Sequence, residues 1–173
     1  MLARIFRVFT QSPDGYLHAN SQAMCTSFKG ELLLGAHQLG AVTLVSRTSL
    51  TAPTKDVVKA ALYLVSATHG ASDTAYSATG EVSGANYSAG GVIVTNGTDP
   101  STSGTTAIWT PSASIVYTTV TLSTAFDCVL LYNSTQSNRA ISTHTFGSQT
   151  VTAGTFTLTM PTNDSSNALI RIA

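Results

Sequence analysis

The chain has 173 residues (17.9 kDa), eight basic and eight acidic side chains, and a charged share of only 9%, against about 25% in ordinary globular proteins. Zero net charge removes the long-range field that would hold a binder on phosphates, so no nucleic-acid partner is expected. No run approaches the roughly 18 apolar residues of a membrane helix, so no membrane partner is expected either.

A chain of this size can bury a real core as one unit without staples. With so few charges, its polar surface falls to Ser, Thr, Asn and Gly, and a near-neutral surface of that kind favours association with other subunits.

Residues 1–10 mix apolar and basic side chains in rough alternation, with Arg4 and Arg7 among Ile5, Phe6, Val8 and Phe9, before the turn signal Ser12-Pro13-Asp14-Gly15. The two arginines interrupt the stretch too early for a secretory signal. Residues 1–24 differ in style from the Thr-rich remainder and are expected to form an arm that orders on a partner. Residues 25–173 form the domain.

Within Ser27 to Leu39, the unbranched Leu32-Leu33-Leu34 favours helix over strand, so a short helix stopped near Gly35 is expected. A strand at 41–46 follows, then a loop around Pro53. From Val57 onward the pattern is β throughout. Strands are expected at 57–66, 91–96, 105–109, 115–122, 126–133, 139–146, 154–160 and 168–172, separated by turns at Asn96-Gly97, Asp99-Pro100, Pro111, 133–138, Gly147 and 161–167. The spacing predicts an all-β fold, an antiparallel β-sandwich of jelly-roll-like kind with the arm and the short helix attached.

Two stretches organise the rest. Lys59 to Val65 is a continuous apolar and aromatic run that reads as a buried core strand. Glu81 to Gly91 combines a glutamate, several glycines and Tyr87 ahead of Val92-Ile93-Val94, which predicts a sharp turn with positive φ. Farther on, Phe156, Leu158 and Met160 alternate with threonines and should face inward. Val129-Leu130-Leu131-Tyr132 is apolar throughout and should be covered on both faces, by the second sheet and by a neighbour or the N-terminal segment.

Reactive chemistry is sparse. His18, His37, His69 and His144 form no ligand motif, and Cys25 and Cys128 stand far apart, so buried free thiols are expected while a disulfide stays open. Glu81 and Asp127 could in principle supply a carboxylate pair, but nothing in the sequence brings them together. No nucleophile elbow, phosphate loop or dinucleotide fingerprint is present. No catalytic residue, cofactor or metal is expected. Trp109, Tyr63, Tyr87, Tyr117 and Tyr132 would suit either a packed core or a sugar-binding face.

Several segments together carry a resemblance. Cys25 to Leu33, Lys59 to Tyr63, Glu81 to Gly84, Tyr87 to Gly91, Ser103 to Ala107, Leu131 to Thr135, Asn138-Arg139-Ala140, Phe146-Gly147, Gly154 to Thr157 and Asn167 to Ile172 resemble a family of small structural proteins of tailed bacteriophages, proposed head decoration proteins. The resemblance runs from about residue 25 to the C-terminus; residues 1–24 depart from it. It implies a place in the virion, on the capsid surface, after assembly in the bacterial host cytoplasm, and it implies no catalytic residues.

A cement protein on a shell lattice would bridge major capsid protein subunits and would suit a homotrimer. The arm would then contact the capsid, with Phe6, Val8 and Phe9 as anchors and Arg4 and Arg7 pairing with shell carboxylates. A neck, tail or fibre module is the alternative, and a carbohydrate-binding module the third reading.

Overall fold

The computed structural model describes residues 30, 32–35 and 55–173. The arm, with Arg4, Phe6, Arg7, Val8 and Phe9, lies outside the described residues, as does the strand expected at 41–46. Of the segment expected to be helical, one turn is described: Leu34 N–H donates to the Gly30 carbonyl (3.1 Å) and Gly35 N–H to that of Leu32 (3.0 Å). It ends at Gly35, whose φ of 69° suits a residue without a Cβ.

The body is all-β and antiparallel. Its strands are β1 (Val58–Leu64), β2 (Val92–Ile93), β3 (Ser101–Ser103), β4 (Thr106–Trp109), β5 (Ile115–Asn133), β6 (Arg139–Leu158) and β7 (Ile170–Ile172). One sheet has the order β2-β1-β5-β6 and the other β3-β4-β7.

β5 and β6 correct the sequence expectation. The strands expected at 115–122 and 126–133 are one strand of 19 residues, and those at 139–146 and 154–160 are largely one of 20. Gly147 lies inside β6 and is not a turn. The ribbon absorbs its irregularities as register shifts around Val120, Leu122 and Phe126 instead of ending, because a bulge lets a strand bend while its pairing continues. Two non-glycine residues, Thr119 (φ 54°) and Ala153 (φ 46°), take left-handed backbone in this region.

The bend folds the ribbon back on itself. Ala60 pairs with Leu131 near the end of β5, yet it accepts a 2.8 Å hydrogen bond from the Tyr117 hydroxyl near the start of the same strand. A straight strand would hold residues 117 and 131 about 46 Å apart. Between the two halves of the ribbon lies the main core, in which Val58, Ala60 and Leu62 of β1 meet Tyr117, Val120, Leu122, Phe126, Val129 and Leu131 of β5. Phe126 stands edge-on to Phe156, ring centres 5.0 Å apart, a geometry that aligns ring edge with ring face. Phe156, Leu158 and Met160 do pack inward against this core, while Thr155, Thr157 and Thr159 are exposed.

The opposite face of β1 and β5 is buried as well. Ala61, Tyr63, Cys128, Leu130 and Tyr132 form a second cluster, packed by Ala67, Tyr76 and Ala140. The expected two-sided cover of 129–132 is therefore present, but the cover on this face comes from the chain's own loop after β1. Tyr76 stacks on Tyr132 at 4.8 Å and the His69 ring lies 3.8 Å from that of Tyr63.

Candidate functional site

The Glu81–Gly91 stretch is a clasp that fastens this loop to the sheet. Glu81 bridges to Tyr63 at the end of β1, and its carboxyl group takes three donors. Oε2 accepts from the Tyr76 hydroxyl (2.6 Å), and Oε1 accepts from the Tyr87 hydroxyl (2.7 Å) and Gly90 N–H (2.7 Å). Tyr87 in turn accepts from Leu62 N–H (3.0 Å), and the Tyr132 hydroxyl donates to the Gly90 carbonyl (2.8 Å).

Glycine is required where the clasp touches the sheet. A Cβ at Gly84 would overlap the Thr121 carbonyl, and one at Gly91 (φ 70°) the Ala60 carbonyl. Gly90 (φ 84°) and Gly91 supply the expected positive-φ turn.

The electrostatics suit holding protons more than moving them. Burial first, and then the hydrogen bond to Glu81, push the Tyr76 hydroxyl up to about 12. Burial and the charge of Glu81 raise Tyr63 and Tyr117 farther, and burial with the same charge raises Tyr132. Such phenols stay protonated at neutral pH and act as permanent donors. Asp127 is not among the partners of Glu81, so the carboxylate pair weighed from the sequence is not assembled around the clasp.

Two other polar constellations come together. The His69 Nδ1 lies 3.1 Å from Asp73 Oδ2, which also accepts from Gly70 N–H (2.9 Å) and the Thr143 hydroxyl (3.3 Å). Burial works against ionisation of Asp73, but these donors outweigh it and lower its pKa. The hydrolytic triad logic needs a hydroxyl on the far ring nitrogen, and no such contact to His69 Nε2 occurs among the described residues. His144, expected on a solvent-facing or edge position, lies half-buried on edge strand β6; its pKa is lowered by burial, and its Nε2 is 2.9 Å from Ser142 Oγ.

A groove of about 670 Å³ lies between the start of β1 and the β3-β4-β7 sheet, with Trp109, Asp56, Asn96, Asp99 and Asn133 among its walls. The Trp109 Nε1–H donates to the Thr98 carbonyl (3.0 Å), and Asn133 Nδ2 donates to Asp56 Oδ2 (2.6 Å). Trp109 thus lines a concave surface. Tyr63, Tyr117 and Tyr132 are 2% exposed or less and are not available to a ligand.

Cys128 carries a buried free thiol, pushed up to about 11 by burial and then by Asp127 and Asp73; its sequence counterpart, Cys25, lies outside the described residues. Among the described residues no group of three His, Cys, Asp or Glu side chains could hold a metal, and no helix is long and apolar enough to cross a membrane.

The sequence reading missed the role of Glu81. Its signal was a single glutamate set between Tyr76 and Tyr87 in a chain with only two glutamates, Glu31 and Glu81. No family model matches the chain, and no curated protein or solved structure matches it either.

Proposed function

We propose that the chain is a non-enzymatic structural protein of a tailed-bacteriophage virion, a capsid decoration protein that stabilises the shell by bridging major capsid subunits. Its two sheets would form a jelly-roll-like β-sandwich, and the protein would act as a homotrimer, with the arm (Arg4, Phe6, Arg7, Val8 and Phe9) on the shell. The observation that carries the reading is the use made of one of the stretches that carry the resemblance. Glu81, Gly84, Tyr87, Gly90 and Gly91 serve to lock a loop onto a sheet, which is work for a rigid building block and leaves a mostly uncharged Ser/Thr exterior to meet neighbours.

Copy number tests it. Quantitative mass spectrometry of purified particles should find hundreds of copies; a dozen or fewer would move the protein to the neck or tail. Deleting residues 1–20 should abolish binding to isolated shells, and stoichiometric binding without them would remove the arm from the proposal.

A second reading has one observation behind it, the groove that contains Trp109. An aromatic wall beside carboxylate and amide groups suits a sugar. Glycan-array binding that is lost in a folded Trp109→Ala variant would support it, and no binding by the wild type would end it.

A further inference from the structure

We propose that the outer edge of β6 pairs antiparallel with the same edge of a second copy of this chain, around Ser142–Phe146. The inference rests on the sheet edges and not on a place in a virion.

Sheet edges expose unpaired N–H and C=O groups, and proteins that must stay apart guard them with short strands, charges, prolines or cover. Three of the four described edges follow that rule by length: β2 has two residues, and β3 and β7 three each. β6 has 20. Among the described residues only its first positions are covered, through the Ala75–Arg139 bridge and the Ala140 N–H donated to the Thr74 carbonyl (3.1 Å). From Ala140 to Leu158 there is no Lys, Arg, Asp, Glu or Pro, while Thr occupies positions 143, 145, 150, 152, 155 and 157. This is a strongly strand-forming edge without a charged or proline guard.

The occupant follows from the same facts. No other described edge is long enough to pair along β6, and an uncharged edge meets its own copy without like charges opposed. Antiparallel self-pairing is a two-fold contact, which closes on itself and does not propagate.

The site along β6 is set by regularity. Between Gly147 and Gly154 the strand is disrupted by register shifts, by Ala153 in left-handed backbone, and by Gln149 Nε2 donating to the Gly147 carbonyl (3.0 Å). Ser142 to Thr145 keep unbroken register with Leu131 to Cys128 and form the straight part. The titratable groups at this part, among the described residues, are His144 on the strand itself, whose burial disfavours its charged form, and Asp73, which accepts from Thr143, with its partner His69. The contact is distinct from a threefold ring and can combine with one in dihedral symmetry.

The test uses the full chain in solution. Sedimentation at micromolar concentration should give an even-numbered assembly. Thr145→Glu with Ser148→Glu, both at exposed positions, should halve its mass and weaken the association at least about tenfold while circular dichroism stays unchanged. In a Cys25→Ser, Cys128→Ser background, a single-cysteine scan from residue 142 to 148 should give disulfide-linked dimers that peak at one position and fall away within two residues, because the bond requires close Cα atoms. A monomer, a trimer that ignores the acidic pair, or a scan without a peak would overturn the proposal. A result of that kind would leave the capsid reading untouched, since shell binding and copy number are measured separately.

Discussion

Gly91 lies against the Ala60 carbonyl so closely that a methyl group on its α-carbon would overlap the oxygen, and its φ of 70° places it in left-handed backbone. Steric overlap with backbone cannot be relieved by rotating a side chain. Gly91→Ala should therefore destabilise the protein by about 3 kcal/mol or more. Gly104 has a similar φ of 59° but open space around it, so Gly104→Ala should cost only about 1–2 kcal/mol. Urea unfolding of the two variants checks the contrast, and equal losses would refute it.

Glu81 accepts from two phenols and one backbone N–H, so its removal strands all three donors. Glu81→Ala should cost about 3 kcal/mol, and Glu81→Gln less, since an amide oxygen can still accept. Among the tyrosines, Tyr87→Phe should exceed Tyr76→Phe, because only the Tyr87 hydroxyl also accepts from Leu62 N–H. Denaturation midpoints of the four variants give the order.

Alkali should unfold the protein through its tyrosines. Tyr63 and Tyr117, both buried, have pKa values raised by burial above the ordinary 10. A raised pKa means the native state keeps a proton that the unfolded state releases. Stability should thus be level below pH 10 and fall above it, by about 1.4 kcal/mol per pH unit for each such tyrosine. On the acid side the sign reverses for Asp73, whose lowered pKa adds stability above about pH 4 that is lost as pH falls further. Fluorescence-monitored unfolding across pH 3 to 12 would reveal both limits; a flat profile above pH 10 would contradict the first.

Thr119 is β-branched, yet it has a φ of 54° and its carbonyl accepts from Asn86 Nδ2 (2.8 Å). The left-handed region costs an L-residue about 1–2 kcal/mol, more than the extra chain entropy of glycine, about 0.5–1 kcal/mol. Thr119→Gly should consequently be neutral to stabilising by about 1 kcal/mol, visible as a higher melting temperature. A loss of more than about 1 kcal/mol would mean that the Thr119 side chain matters to the bend.

Much of the β architecture was legible because its signals are local. The run from Lys59 to Val65 overlaps all but the first residue of β1, and the inward Phe156, Leu158 and Met160 follow from alternation alone. What the sequence concealed depends on contacts between distant residues. Ser101-Thr102-Ser103 has no apolar side chain, and it becomes β3 by pairing with Thr106 to Ile108. The fusion of four expected strands into β5 and β6 depends on bulges, which leave the polar run Ser123-Thr124 inside a strand.

The clasp was legible only in part. Gly90 and Gly91 announced a turn, but Tyr76 lies in a stretch that reads as polar loop, and its stacking on Tyr132 depends on how the chain returns. The groove walls come from seven separate parts of the chain, so Trp109 alone gave no way to locate them.

The described body has one consequence for the medium it can tolerate. Among the described residues no Lys or Arg side chain pairs with a carboxylate, and the contact of His69 with Asp73 is the one between a basic and an acidic side chain; most of the cohesion comes from apolar packing and from uncharged donors, many of them aimed at backbone carbonyls. Dissolved ions weaken attractions between opposite charges and leave packing of this kind intact. Brine and dilute buffer should accordingly be almost equivalent surroundings for this fold.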